Sequence, residues 1–403
     1  MRLLIVSQYF TPEIAHIPSQ LASALSAKGH SVRVLTGFPS YPEGRIYPGY
    51  RQRWRQRERI GGADVLRVPL FIDHSNSALR RTLNYTSFAA SSATAAGFGA
   101  GADVVYVYAT QMTAALGPWL RRLTGGAPYL LHVQDLWPDS ITGSSLVNSR
   151  LGELAVNRVL SPWLSSVYRH ASAVVGIGPT MVETLRTRGV DPDRTHLVYN
   201  WSVQEPDRSA ELGPPVSAPA STTTVLYAGN VGDMQDLETA VRAAHQTRDA
   251  GIRLVLVGDG TAVARLRELV QALGATNVEF RGWVPVGEVV PLYRQADYAL
   301  VSLKDLPAFR GTIPSKFQMA LSAGVPVVTT VQGDVRDIVE QNRVGFTADA
   351  ESVDSLATAF RSAAAQGDRA LLRRNAGTLY AERFSTQAGV SAIESILQGC
   401  VRR

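Results

Sequence analysis

The chain has 403 residues, too long for one ordinary core, which favours two domains of about 200 residues each. The net charge of +6 is too diffuse at this length to require nucleic acid, although it is compatible with a small anionic substrate or a membrane surface. A single cysteine, Cys400, excludes an internal disulfide and a cysteine-rich metal site. No apolar stretch approaches the roughly 20 residues of a membrane span, and Met1–Ser7 is predicted to be a buried strand rather than a signal peptide, so a cytosolic location is expected.

The first half alternates short apolar runs with helical stretches. The predicted strands are Arg2–Ser7, Ser31–Thr36, Ala63–Val68, Val104–Tyr108, Tyr129–Val133 and Ala173–Ile177. The predicted helices are Pro18–Lys28, Ser77–Ala96, Thr113–Leu123, Gly152–Tyr168 and Pro179–Arg188. Because such alternation favours a parallel sheet covered on both faces, this half is predicted to be a doubly wound α/β domain.

The second half ends four buried apolar runs at turns of the kind that bind phosphate or sugar. These runs and turns are Val225–Gly232, Leu254–Gly260, Val278–Val284 and Tyr298–Leu303, the last followed by Thr312–Lys316, which opens a helix. In open parallel sheets, ligands bind outside the carboxyl ends of the strands, so the four turns are expected to line one crevice. This half is therefore predicted to be a nucleotide-binding α/β domain.

A proline-rich stretch separates the two halves. Gln204–Thr222 contains four prolines among serine and alanine, a poor candidate for regular structure. The predicted division is a first domain over residues 1–200, a second over 201–380 and a C-terminal segment over 381–403. The helix Gln387–Val401 in that segment is a candidate to cross back onto the first domain.

Several motifs, in their order and spacing, resemble those of one enzyme family. They are Gln8–Glu13, Lys28–His30, Thr36–Gly44, His132–Ser140, Tyr199–Ser202, Ala228–Gly232, Val257–Gly260 and Ile313–Lys316. Over about residues 1–380 the chain resembles the retaining glycosyltransferases of family 4, in the capsule, O-antigen and colanic-acid branch that includes fucosaminyltransferase-like members. The resemblance implies the GT-B architecture, two facing Rossmann-like domains. The first domain then receives the acceptor and the second binds the nucleotide sugar.

Three features depart from the general family. Most members carry two glutamates eight positions apart around the fourth turn, where this chain has Gly311 and Met319. The neighbouring Gln318 is a candidate substitute for the glutamate on the nucleotide ribose, and the branch that this chain resembles also tends to lack that residue. Other family positions are occupied here by Pro12–Pro18 in place of paired glycines, and by Asp233 and Gln235 in place of arginine and lysine.

The candidate donor site follows from the turns of the second half. Lys316 lies one turn into a helix that starts near Pro314, where free backbone N–H groups and the helix dipole suit a diphosphate, and Ser315 offers a further hydrogen bond. The alternative is a helix-capping serine followed by a solvated lysine. Gly229 and Asn230 form a turn that a phosphate or sugar can approach closely, or simply a tight strand-to-helix turn. Further candidates, placed around the base by the resemblance, are Gly258, Trp283 and Val284, although Trp283 could equally be a core or rim aromatic.

Two candidate catalytic residues lie at or near the end of the predicted strand Tyr129–Val133. Asp135 follows the strand and could orient the acceptor hydroxyl or accept its proton. His132 lies on the strand itself, near the position of the family's donor-sugar histidine, which aligns with Gln134. The alternative for His132 is a hydrogen-bonded core histidine.

Arginines alternate with other residues between positions 51 and 59. On a strand, Arg51, Arg53, Arg55, Arg57 and Arg59 would share one face, suited to lipid head groups or a pyrophosphate-linked acceptor. A solvated hairpin edge explains the same pattern. Arg80 and Arg81 lie in a short basic amphipathic stretch, consistent either with peripheral membrane contact or with packing of a helix on the sheet.

The predicted function is transfer of a hexosyl or N-acetylhexosaminyl group from a nucleotide-diphosphate sugar, by expectation a UDP-sugar. The acceptor is a hydroxyl of a saccharide or of a polyprenyl-diphosphate-linked saccharide. The resemblance implies retention of configuration and no metal or other cofactor, and no Asp-x-Asp motif stands at a predicted strand end. The alternatives are a nucleotide-sugar epimerase of the same fold and a non-catalytic nucleotide-sugar-binding module. The expected location is cytoplasmic, with possible peripheral contact to the inner face of the membrane.

Overall fold

The computed structural model describes residues 1–73, 77–138, 150–201 and 222–402. It divides into two units: unit 1 comprises Met1–Asn200 and Gly389–Arg403, and unit 2 comprises Trp201–Ala388. Most of the proline-rich stretch at 204–222 lies outside the described residues, as does the end of the motif at 132–140.

Unit 1 is built on an eight-stranded sheet whose strands are mostly buried, except for the strand at each edge. The strands are β1 Arg2–Ser7, β2 Ser31–Gly37, β3 Gln56–Ile60, β4 Ala63–Val68, β5 Val104–Ala109, β6 Tyr129–Val133, β7 Ala173–Gly176 and β8 Thr195–Leu197. Their order is β3-β4-β2-β1-β5-β6-β7-β8, parallel throughout except for the antiparallel edge pair β3–β4. The chain order reverses between β1 and β5, so a ligand-binding crevice is expected outside the carboxyl ends of those two strands.

The helices of unit 1 cover its sheet because their apolar side chains recur at helical spacing. They are α1 His16–Ala27, α2 Ala78–Thr94, α3 Leu116–Leu123, α4 Arg150–His170 and α5 Pro179–Thr187. The predicted helix at 113–123 is in fact a 3₁₀ turn, Met112–Ala115, followed by α3.

Unit 2 is built on a sheet of six parallel strands. The strands are β9 Thr223–Ala228, β10 Ile252–Val257, β11 Val278–Gly282, β12 Tyr298–Val301, β13 Val327–Thr329 and β14 Gly345–Thr347. Their order, β11-β10-β9-β12-β13-β14, is the 3-2-1-4-5-6 order of dinucleotide-binding domains. The crevice of such a domain lies outside the carboxyl ends of β9 and β12, which are the ends of the first and fourth predicted runs.

Seven helices are described between the strands of unit 2 and after them. They are α6 Leu237–Gln246, α7 Val263–Leu273, α8 Val286–Gln295, α9 Ser315–Ser322, α10 Asp334–Asn342, α11 Val353–Ala365 and α12 Arg369–Leu379. None of the described helices, in either unit, is long and apolar enough to cross a lipid bilayer.

The C-terminal helix, α13 Thr386–Arg402, joins unit 1 through most of its length. Its Glu394 accepts hydrogen bonds from Lys28 Nζ at 2.5 Å and from His30 Nε2 at 2.7 Å. Hydrogen bonds from His30 and Lys28 lower the pKa of the Glu394 carboxyl. Ion pairs therefore attach α13 to the segment between α1 and β2.

Candidate active site

The turn after β9 is shaped by glycine. Gly229 has a φ of +142°, which L side chains rarely adopt, and a Cβ there would collide with Lys316 Cε. The backbone after β9 and the side chain of Lys316 therefore touch, at the carboxyl end of the strand that borders the reversal in strand order.

No described residue supplies a counter-charge to Lys316. Its ammonium lies 5.1 Å from the centroid of the Tyr227 ring, and burial lowers its pKa. Among the described residues it makes neither a hydrogen bond nor an ion pair. A desolvated cation with no counter-charge favours an anionic ligand, because the anion would replace the lost hydration. Lys316 is therefore not the solvated lysine of the alternative interpretation.

The start of α9 adds uncommitted donors beside that cation. The helix begins at Ser315, its N-cap residue is Pro314, and no side chain caps it. The N–H of Phe317 bonds to the Pro314 carbonyl at 3.0 Å, whereas no acceptor in the described part of the chain takes the N–H groups of Ser315 and Lys316. Ser315 is thus not a capping serine, and this terminus keeps the polarity that suits phosphate.

Backbone hydrogen bonds connect the turns after β9, β10 and β11. The N–H of Gly229 bonds to the Val257 carbonyl at 2.9 Å, and the N–H of Gly258 bonds to the Gly282 carbonyl at 2.7 Å. Gly258 has a φ of +130°, and a Cβ there would collide with the Gly229 carbonyl oxygen. Its glycine is required by packing between turns, whether or not a ligand touches it.

Asn230 is exposed, and a glutamine supports its turn. Gln235 Oε1 accepts from the Gly232 N–H at 3.1 Å and from Asn230 Nδ2 at 3.3 Å, while Ser302 Oγ donates to the Gln235 carbonyl at 2.7 Å. Gln235, which stands where many family members have a basic residue, thus ties the turn after β9 to the end of β12. Sequence reasoning noted the replacement but not this role.

The remaining donor candidates differ in exposure. Trp283, directly after β11, is 70% exposed and is therefore a rim aromatic rather than a core residue. Val284 follows it and is half-buried. Gln318 is buried in α9, two residues after Lys316.

In unit 1, the two catalytic candidates have different environments. Asp135 follows β6, and partial desolvation raises the pKa of its carboxyl although part of the side chain reaches solvent. His132 has no exposed surface, and its Nδ1 lies 2.6 Å from the Tyr106 hydroxyl. Burial lowers the pKa of His132 to about 3, so the ring is neutral. This environment favours the core-histidine interpretation over a catalytic one.

The prediction of five arginines on one strand face is wrong. Only Arg57 and Arg59 lie in β3; residues 51–55, which include exposed Arg51 and Arg53, form no strand. The physical reason is that β3 is an edge strand extending only as far as its antiparallel pairing with β4. Arg55 instead donates to the Thr94 carbonyl at 2.8 Å, at the end of α2.

The amphipathic stretch around Arg80 and Arg81 does form a helix, α2. Arg80 pairs with Asp73 at 3.1 Å, and Leu79 and Leu83 are 70% and 45% exposed. Packing of α2 on the sheet does not explain why these two leucines are exposed beside an arginine.

Within the part of the chain that the structure describes, no group of three histidine, cysteine, aspartate or glutamate side chains could hold a metal ion.

Sequence reasoning missed two sets of buried polar side chains at the carboxyl edge of the unit 1 sheet. Gln8, Asn84 and Gln111 form a hydrogen-bonded amide chain, and Glu13 and Arg67 are also buried. The available signal was Arg67 itself, a charged residue between the apolar residues Leu66 and Val68 of strand β4.

The two Rossmann-like α/β units have the architecture of solved GT-B glycosyltransferases, which confirms the predicted fold class. Residues 14–201 match the family described as glycosyl transferase 4-like domain, and residues 222–366 match glycosyl transferases group 1. These two matches, together with the relatives described below, support a glycosyltransferase of family 4.

Relatives and solved structures resemble the chain along nearly its whole length. It is 28% identical to WcaI of Escherichia coli (strain K12), described as a colanic acid biosynthesis glycosyl transferase, over 90% of this chain and 92% of that protein. HepE of Anabaena in complex with UDP and glucose has a TM-score of 0.60 at 16% identity, with 99% of each chain covered. The lipopolysaccharide outer core galactosyltransferase WaaB, in its apo form, has a TM-score of 0.64 at 13% identity, again over 99% of each chain.

Proposed function

We propose that this enzyme transfers a sugar from a nucleoside-diphosphate sugar, with UDP as the nucleotide, to a saccharide or lipid-linked saccharide in the synthesis of a cell-surface polysaccharide. The observation that carries the proposal is Lys316, a partly desolvated cation that lies against the glycine turn after β9 and has no counter-charge among the described residues. The donor diphosphate is the anion that this arrangement suits.

Two kinds of contact at the start of α9 would hold the diphosphate. Lys316 supplies a point charge, and the N–H groups of Ser315 and Lys316 supply directed hydrogen bonds. Because the leaving nucleoside diphosphate gains negative charge as the glycosidic bond breaks, these contacts strengthen in the transition state.

The nucleotide and the pathway are proposed by analogy. The solved structure of HepE is a complex with UDP and glucose, which supports UDP here. The description of WcaI refers to colanic acid biosynthesis, which supports a polysaccharide product. Exposed Trp283 at the rim after β11 is the side chain available to stack on the base.

Asp135 is the proposed group that orients the acceptor hydroxyl or receives its proton. Gly311 stands at the position of the usual glutamate near the sugar, so no carboxylate is supplied there to form a covalent intermediate. We therefore propose front-face displacement with retention of configuration, in which a phosphate oxygen of the leaving group assists deprotonation, without a divalent ion.

A donor and acceptor panel tests the proposal. The full chain is incubated with UDP-, GDP- and dTDP-sugars and with two acceptor types, octyl glycosides and short-prenyl-diphosphate-linked monosaccharides. Transfer that releases UDP, retains the anomeric configuration and persists in EDTA supports it. Epimerised nucleotide sugar would instead indicate the epimerase alternative, and nucleotide binding with no chemistry would indicate a binding module. The epimerase is disfavoured because His245, the sole histidine of unit 2 in the sequence, lies in the last turn of α6, away from the turn after β9.

A further inference from the structure

Two charged side chains are buried at the carboxyl edge of the unit 1 sheet, and the proposed chemistry uses neither. Glu13 lies in the loop between β1 and α1 and is 6% exposed, and Arg67 lies in β4 with no exposed surface. Burying a charge costs free energy unless opposite charge and hydrogen bonds compensate. The contacts of Glu13 and Arg67 show which parts of the structure these buried charges hold in place.

Glu13 joins two loops through their backbone N–H groups. Its Oε2 accepts from Phe10, in its own loop, at 3.1 Å. Its Oε1 accepts from Ser40 at 2.8 Å and from Tyr41 at 2.9 Å, both in the loop between β2 and β3. Residues 8–15 are called the first loop and residues 38–55 the second loop below.

Arg67 holds carbonyl groups in the same region. It donates to the carbonyl of Thr11 in the first loop and to that of Gly37, directly before the second loop, at 2.9 Å. Arg67 also forms an ion pair with Glu58 on the edge strand β3. Burial raises the pKa of Glu13, while the three backbone hydrogen bonds and the charge of Arg67 act in the opposite direction. The carboxylate of Glu13 thus binds backbone N–H groups, and the guanidinium of Arg67 binds backbone carbonyl groups, in or beside the same two loops. These two side chains and their backbone partners are called the charged junction.

The two loops present an aromatic pair. The ring centroids of Tyr9 in the first loop and Tyr41 in the second lie 5.1 Å apart, tilted by 43°. Tyr41 is 40% exposed. Tyrosine combines an apolar face, suited to the C–H face of a sugar ring, with a hydroxyl that hydrogen-bonds. The pair follows β1 and β2, beside the reversal of strand order between β1 and β5.

We propose that Glu13 and Arg67 are positioning residues that hold the two loops as one acceptor-binding surface, on which Tyr9 and Tyr41 contact the saccharide part of the acceptor. The inference rests on the proposed function, because it assigns a surface to that reaction's acceptor. The charged junction fixes the separation of the two rings, and a saccharide that bridges them requires that separation.

Glu13→Gln tests the positioning role in the full chain. The amide replaces one acceptor oxygen by a donor, so at least one of the three backbone hydrogen bonds is lost. With the most active donor and acceptor of the panel, the acceptor KM is expected to rise about tenfold or more, since misplacing a reactant by about 1 Å costs up to about a hundredfold. Amide hydrogen exchange at Ser40 or Tyr41, or at Phe10, is expected to accelerate, whereas the dissociation constant for UDP stays unchanged.

Asp103→Asn is the matched control. Asp103 also accepts a backbone N–H, from Arg2 at 2.7 Å, but at the opposite edge of the same sheet. It should leave the acceptor KM unchanged. Tyr41→Ala, which removes a proposed contact but not the carboxylate, should raise the acceptor KM and leave exchange at Phe10 unchanged.

Unchanged exchange in Glu13→Gln, or faster exchange with an acceptor KM within twofold of wild type, would overturn the inference. If Glu13→Gln does not fold, an unchanged acceptor KM in Tyr41→Ala overturns it instead. These outcomes compare variants of an active enzyme. They are therefore distinct from failure of the proposed function, which appears as no transfer by the unaltered chain with any donor.

Discussion

At the residue scale, Lys316 offers the sharpest test of the donor site. Lys316→Met keeps an apolar stem against Gly229 and Tyr227 and removes the charge. Loss of one charge-assisted contact that strengthens in the transition state should cost about 3 kcal/mol, roughly a hundredfold in kcat/KM. The fold should not weaken, because burial lowers the pKa of Lys316 and no ion pair is lost.

Steady-state kinetics and thermal unfolding of the same preparation check both halves of this expectation. Arg265→Met, which removes an exposed arginine paired with Asp233 in the same unit, serves as the control. If Lys316→Met retained kcat/KM within threefold of wild type, the lysine would not hold the donor.

Asp135 provides a second test at the same scale, through pH. Burial raises the pKa of its carboxyl, so the carboxylate form is lost at a higher pH than for an ordinary aspartate as pH falls. Asp135→Asn should lower kcat about a hundredfold near neutral pH and remove the acid limb of the kcat/KM profile. Because Asp135 is exposed, the variant should have a free energy of unfolding similar to that of wild type at pH 7. A full-rate variant with an unchanged acid limb would rule out Asp135 as the base.

At the element scale, the ion pairs of α13 make a prediction about stability. Hydrogen bonds from His30 and Lys28 lower the pKa of Glu394, so this carboxylate stabilises the fold above its unfolded-state pKa. That contribution is lost as pH falls through the lowered value. Glu394→Gln should therefore reduce the free energy of unfolding at pH 7 by about 1 kcal/mol, allowing for the solvent-exposed part of Lys28.

The measurement is denaturant unfolding of wild type and Glu394→Gln at pH 7 and at successively lower pH. The two curves should converge in acid. A difference that is the same at every pH would mean that packing of α13, rather than the ionised carboxylate, accounts for it.

The same scale shows why some elements were predictable. Residues 2–7 and 129–133 are strands with the predicted bounds, because a strand buried on both faces is a nearly continuous apolar run. The edge strand β3 has no such run, so its start at Gln56 depends on pairing with β4. The junction of Glu13 and Arg67 joins residues distant in sequence, and only the folded chain shows that their backbone partners adjoin. The glycine at 229 was predictable as a turn, but its contact with Lys316 was not.

At the scale of the whole molecule, we propose peripheral contact with anionic membranes through unit 1. Arg51, Arg53 and the apolar side chain of Trp54 are exposed, as are Arg80 and Leu79 on α2. Each basic side chain near an anionic surface contributes about 1 kcal/mol, so replacing three should weaken binding by roughly a hundredfold. The triple variant Arg51→Gln, Arg53→Gln and Arg80→Gln is therefore expected to lose binding to phosphatidylserine-containing vesicles in a flotation assay.

A variant with the same net charge separates a local surface from a general charge effect. Arg361, Arg374 and Arg383 are exposed on unit 2, and changing all three to glutamine should leave flotation intact. Binding of the unaltered protein should also fall with rising salt, because screening shortens the range of surface attraction. Equal flotation with neutral and anionic vesicles, or equal loss in both triple variants, would show that the arginines of unit 1 do not form a membrane-binding surface. The exposed basic and apolar side chains of unit 1 would then contact the acceptor or solvent instead of a membrane.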